Sequence, residues 1–326
     1  MSIQRRGVNA FRIALAAAAV FGGAGRASAD LLYGSAGDGN TIFTVDTATG
    51  AVNTQFRTPT PPPDGLIFTG SSILYLDQGN NAVAGSGQLR SFNINTRADT
   101  LIAGGLSRPA DLTLDGSNTV LVSEFNAGRI DRINVTTGAV SVLGNYGGTP
   151  NGLTFDASGR LFAVLGSRFT GPTGSSVSQL NPTTGAIIAT STGLNSADGL
   201  TYDSFSGRLF TASTLSNLLY SINPNNLSDV VSITLPGPGD GVVSNGRGDL
   251  FIGGRQAAGA TGAPIYDYKV TSRAVTQVAF VPGAVSIDLA AVPEPSSVAL
   301  FAIGTVACGG WYGLFGRRRS RVRAAV

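Results

Sequence analysis

The chain has 326 residues, of which 42% are hydrophobic and 13% charged, with 45 glycines, one cysteine and no histidine. Lacking histidine, it lacks the usual general base and the Ser-His and Cys-His nucleophile systems, and no CxxC, HExxH, P-loop or Rossmann fingerprint is present. The formal charge of +3 misleads: nine of the 22 basic residues but one of the 19 acidic ones lie in the end segments 1–29 and 292–326, so the stretch between holds 13 basic and 18 acidic groups, net −5, and phosphate neutralisation with it nucleic-acid binding is disfavoured.

Residues 1–29 read as a signal peptide, helical in the precursor. Arg5, Arg6 and Arg12 give a positive start, an apolar run follows from Ile13 to Gly25, and Ala27-Ser28-Ala29 supplies the small residues of a cleavage site. Cleavage by signal peptidase after Ala29 leaves Asp30 first. The residues flanking Arg5-Arg6 fit twin-arginine export poorly, which favours ordinary Sec export.

The segment 31–52, LLYGSAGDGNTIFTVDTATGAV, contains the later strands of a four-stranded unit without its first. TPTPPPDG at 58–65 is proline-rich, extended, and read as a stiff connection. A repeat then follows: PDGLIF from Pro63, PADLTL from Pro109, PNGLTF from Pro150, ADGLTY from Ala197 and GDGVVS from Gly239. Each opens a unit of strand, turn, strand and two further strands, with third-to-fourth turns such as Thr136-Thr137-Gly138 and Thr183-Thr184-Gly185. The anchoring apolar residues are Leu66, Leu112, Leu153, Leu200 and Val242, at intervals of 46, 41, 47 and 42 residues. One blade of a β-propeller takes about 40 to 50 residues. Residues 282–290, PGAVSIDLA, hold a first strand with nothing after it, and Val285 keeps the spacing. Joined to 31–52 this strand completes a composite first blade. The expectation for 30–291 is therefore an all-β, six-bladed β-propeller closed by pairing of its N- and C-terminal strands, which hides edges that would otherwise template aggregation.

The polar residue at each Asp/Asn-Gly step recurs beside the expected central channel: Asp64, Asn151, Asp198 and Asp240, with Ala110 and Gly283 in the other two blades. Converging oxygens suit Ca²⁺ or another divalent cation, and the same dipeptides are favoured in turns for backbone reasons alone. PNGLTFDASGRLF and ADGLTYDSFSGRLF resemble the metal-ligand segments of gluconolactonase-like, senescence-marker-type propellers. That resemblance implies divalent-cation binding by Asn151 and Asp198; Gly283 and Ala110 stand where the family has a glutamate ligand and an asparagine. VLVSEFNAGRIDRINVTTGAV at 120–140 resembles an NHL-repeat or streptogramin-lyase-type blade, whose lyase uses a histidine that this chain lacks. Glu124 is either a base or, as acids on second strands more commonly are, a partner of Arg129 or Arg132.

The tail, 292–326, has three parts in order. Val292-Pro293-Glu294-Pro295-Ser296 is followed by uncharged residues 297–316, long enough for one transmembrane helix, and then by Arg317, Arg318, Arg319, Arg321 and Arg323. Positive charge stays cytoplasmic, so 30–292 faces outward. The one cysteine, Cys308, lies within the apolar run. This combination resembles the PEP-CTERM sorting signal of Gram-negative bacteria, with Pro293, Glu294 and Pro295 as the motif. The resemblance implies recognition by an exosortase, a membrane protease that removes the tail on the way to the cell surface, and a polysaccharide-rich or biofilm setting.

The sequence thus points to an exported propeller, held at the inner membrane only through the precursor's C-terminal helix and then delivered to the cell surface or extracellular matrix. There it serves as a binding or structural module for surface polysaccharide or protein ligands. The alternative is a metal-dependent lactonase-like hydrolase with ligands at Asp64, Asn151, Asp198 and Asp240.

Overall fold

The computed structural model describes residues 30–292 apart from residues 38, 60, 61, 81 and 167–173. Residues 1–29, read above as a signal peptide, and the residues from Pro293 onward, read as the sorting motif with Glu294 and Pro295, the transmembrane run 297–316 and the arginine cluster, lie outside the described residues. No helix among the described residues is long and apolar enough to cross a membrane.

Six four-stranded antiparallel sheets make up the fold. Blades 2 to 6 follow one another, their inner strands being Pro63–Phe68, Pro109–Leu114, Leu153–Phe155, Ala197–Asp203 and Gly239–Ser244. Blade 1 is composite. Its inner strand Ile287–Ala291 pairs with Leu31–Ala36, which continues into Thr41–Asp46 and Val52–Arg57. The seam register runs from Leu32 opposite Ala291 to Ala36 opposite Ile287. The two ends therefore close the ring, as the incomplete end segments imply.

Period-two alternation builds the core. Leu161, Ala163 and Leu165 pack into the layer between blades 3 and 4, while their neighbours Phe162 and Val164 pack between blades 4 and 5. Every blade interface has such a layer, and Phe43, Phe251 and Ile287 fill the one that spans blades 6 and 1. Each second strand is consequently buried on both faces, which accounts for near-continuous apolar runs such as Leu161–Leu165.

The third-to-fourth-strand turns are specified locally. Asn134 Oδ1 accepts the amides of Thr136 and Thr137 at 3.0 and 2.9 Å, an Asx turn. Asn93 and Asn181 repeat it. Gly138 then takes a φ of 72°, and a Cβ there would lie 2.3 Å from the Ile102 carbonyl of blade 2. The same residue ends the turn and lets the preceding blade sit close.

One sequence expectation is corrected. Leu289, opposite Gly34, occupies the place of Leu66 and Leu112, so Val285 is not the anchor and Ile287, rather than Gly283, stands at the step position. Gly283 belongs to the preceding turn: its φ is 77° and its amide donates to the Thr261 carbonyl at 2.8 Å. The closing interval is thus 47 residues rather than 43, within the spread already present in the repeat.

Candidate functional site

The six inner strands present their free edges to a central channel whose two ends differ. Inner strands run from the first end to the second, so the Asp/Asn-Gly steps lie at the first.

That first mouth is polar. A cavity of about 140 Å³ there is lined by Asp64, Gln78, Arg108, Asp240, Arg255 and Ser286, among others. The Gln78 amide nitrogen donates to Asp64 Oδ2, and Arg255 Nη1 lies 3.2 Å from Asp240 Oδ1. Asn151 and Asp198 do not line this cavity. Both are buried, and Asn151 Nδ2 donates to Asp198 Oδ1 across the boundary between blades 4 and 5. The four step residues from the sequence thus fall into separate pairings, with a guanidinium on Asp240. Among the described residues no three acidic, histidine or cysteine side chains gather as a cation cage. The arrangement does not fit a divalent metal centre, because a cation would have to displace Arg255 and meet amide nitrogens already committed to the remaining carboxylates.

Midway, the channel is pinched. The residues after the steps are Gly65, Asp111, Gly152, Gly199, Gly241 and Asp288. A Cβ on Gly152 would fall 2.4 Å from the Leu200 amide nitrogen, and one on Gly199 would fall 2.9 Å from Gly241 Cα. Neighbouring inner strands touch here, and only glycine permits it.

Asp111 and Asp288 replace glycine on either side of Gly65. Asp111 accepts the amides of Leu112 and Leu153, both at 2.7 Å. Although a part of it is exposed to the channel, protein surrounds it. Burial holds its carboxyl well above the ordinary carboxylate value, helped by the charges of Asp288 and Asp198 and opposed by the two amides.

The second mouth is a funnel of about 330 Å³ whose floor includes Asp111 and Asp288 and whose walls include Phe68, Leu114, Val243 and Ala291. Among the described residues no lysine or arginine lines it.

Asp288, Gln78, Arg108 and Arg255 were not legible as site residues. Asp288 had a signal: IDLAA at 287–291 matches ADLTL at 110–114 in its Asp-Leu pair, and that match also gives the correct register. Glu124 is fully buried and bonded to Arg129, Nη2 to Oε1 at 2.7 Å, whereas Arg132 pairs with Asp115.

No family model matches the chain, and no curated protein matches it. Among solved structures it is similar to a chain in a crystal structure of a nidogen/laminin complex, with a TM-score of 0.63 and 17% identity over 80% of this chain and 97% of that one. The shared property is the fold, a six-bladed β-propeller. At this identity the likeness carries no activity across, so the functional argument rests on the mouths of the channel.

Proposed function

We propose that this chain is an exported binding module that takes a hydroxyl-rich ligand, a surface or extracellular polysaccharide, at the polar mouth. The single observation behind this reading is the composition of that mouth. Arg108 and Arg255 face Asp64, Asp240 and Gln78 in one cavity, so donors and acceptors stand side by side with their charges balanced. The pairings of Asp64 and Asp240 fix those groups in place before any ligand arrives. Preorganised, balanced polar groups suit a neutral polyol better than an anion or a cation. A propeller loop end supplies a rigid platform for such recognition.

Export is part of the proposal. The sequence of three parts in the tail supports delivery by an exosortase: Pro293-Glu294-Pro295, then the uncharged run 297–316, then the arginines from 317. The mature form then begins at Asp30 and ends near Pro295.

Two measurements test the reading. Mass spectrometry of surface-extracted protein is expected to find a C-terminus near Pro295, and recovery of the intact arginine tail from that material refutes processing. A glycan array probed with the protein is expected to give hits that Arg255→Ala weakens at least several-fold. An array without hits, or hits indifferent to Arg255 and Arg108, refutes recognition at this mouth.

A further inference from the structure

We infer that the funnel end of the propeller is the face held against the membrane surface while the precursor is anchored, leaving the polar mouth pointing away from the bilayer. The inference rests on the reading of 297–316 as a membrane-spanning segment and adds to it an orientation and a contact surface.

The geometry is set by where the chain leaves the ring. The closing strand Ile287–Ala291 runs toward the funnel, and Ala290 and Ala291 line it. The next residue, Val292, donates its amide to the Leu31 carbonyl at 3.1 Å, at the same end. Both termini of the described chain therefore meet at the funnel rim. Only residues 293–296 separate Val292 from the uncharged run, and two of them are prolines. Four extended residues reach at most about 14 Å. The polar layer on each side of the hydrocarbon core is itself about 5–8 Å deep, so the tether leaves little space between the rim and the headgroups. The opposite mouth cannot be the near one without the tether passing the full depth of a blade.

The rim has the chemistry for that position. Strands alternate in direction, so the turns joining first to second and third to fourth strands all lie at the funnel end. Phe205, in the first such turn of blade 5, is 53% exposed, and its ring packs over Gly248 of blade 6, 3.0 Å from where a Cβ would be. Leu114 and Leu31 are exposed at the same end. Arg97, Arg247 and Arg273 are exposed in these turns; Arg247 also binds Asp30 and Arg97 the Gln55 carbonyl, so Arg273 is the cation best placed to meet anionic headgroups. An aromatic tip beside cations suits an interface between water and lipid. The occupant of this face is a bilayer surface containing anionic phospholipid.

The test uses the full chain with Cys308→Ser, reconstituted in phosphatidylethanolamine–phosphatidylglycerol vesicles. A single fluorescent probe is attached through Phe205→Cys at the funnel end or through Leu215→Cys, an exposed position at the polar end. Headgroup-attached nitroxide is expected to quench the probe at 205 several-fold more than the probe at 215. Equal quenching, or stronger quenching at 215, overturns the orientation. The one tryptophan, Trp311, lies in the uncharged run and reports separately on anchoring through acyl-chain nitroxide. If Trp311 is not quenched, the anchoring reading falls and the orientation with it. If Trp311 is quenched while the probe at 205 is not, anchoring stands and the orientation alone fails.

Discussion

Glu124 and Asp131, both fully buried, face one guanidinium: Arg129 Nη2 lies 2.7 Å from Glu124 and 3.1 Å from Asp131. One cation cannot stabilise two buried carboxylates equally. Glu124 also accepts the Ser107 amide and the Arg129 Nε. Although burial opposes its charge, the neighbouring Asp131, the Ser107 amide and Arg129 together lower its pKa. Asp131 is pushed up to about 7, by burial first and then by the neighbouring Glu124 carboxylate.

The pH dependence follows from the sign of that shift. Folded Asp131 keeps its proton to about pH 7, whereas the ordinary value is 3.8. Folding therefore binds a proton between about pH 4 and 7, and this group makes stability fall as pH rises through that window. Asp131→Asn is expected to stabilise the propeller at pH 8 by on the order of 1–2 kcal/mol, with the advantage shrinking toward pH 4. Urea denaturation at the two pH values checks it. An advantage that does not change with pH would mean that the carboxyl is not the titrating group.

The turn glycines allow backbone strain to be separated from contact. Gly138 and Gly159 have φ of 72° and 76°, but a Cβ at Gly138 would overlap the Ile102 carbonyl, while one at Gly159 would meet nothing within 4 Å. Gly159→Ala is expected to cost only the left-handed penalty, about 1–2 kcal/mol. Gly138→Ala should cost more, because the preceding blade must also move. Equal losses in thermal melts would show that the contact at Ile102 is not close enough to matter.

Ring architecture was legible because each blade must pack its inner strand into the layer it shares with a neighbouring blade. That demand writes a spacing into the sequence, and Leu66, Leu112, Leu153 and Leu200 keep it. The closing strand was harder. Val285 and Leu289 are both apolar and lie four residues apart, so spacing alone could not choose between them; burial of Ile287 and Leu289 on the face toward blade 6, with Ala290 buried on the face toward blade 2, does. The site was legible only by position. Sequence gives the steps at Asp64, Asn151, Asp198 and Asp240 but not the partners that come from other strands or blades. Gln78, Arg255 and the Asn151–Asp198 pairing are such partners, and they turn an apparent ligand ring into hydrogen-bonded pairs.

Those pairings make calcium independence an expected result. A cation held at 100 times its dissociation constant would stabilise the fold by about 2.7 kcal/mol, easily seen in a melt. With Arg255 on Asp240 and amide nitrogens on Asp64 and Asp198, neither added Ca²⁺ nor a chelator should move the melting temperature. A rise with Ca²⁺ that disappears in Asp198→Ala would restore a metal centre at this mouth.

The seam between blades 1 and 6 offers the sharpest test of closure. Gly253, in the second strand of blade 6, lies so close to the closing strand that a Cβ would sit 2.0 Å from the Ile287 carbonyl. Backbone cannot yield there without shifting Ile287–Ala291 away from Leu31–Ala36, the pairing that completes blade 1. Gly253→Ala is expected to cost about 1–3 kcal/mol, the usual range for overpacking. It should also accelerate amide exchange selectively along those two strands, since local opening requires less free energy than unfolding the whole ring. Gly104→Ala is the control: it lies on an outer strand with nothing within 4 Å of its Cβ position and is expected to change little. Exchange that rises evenly through all six blades, or not at all at the seam, would mean that Ile287–Ala291 does not hold the ring shut.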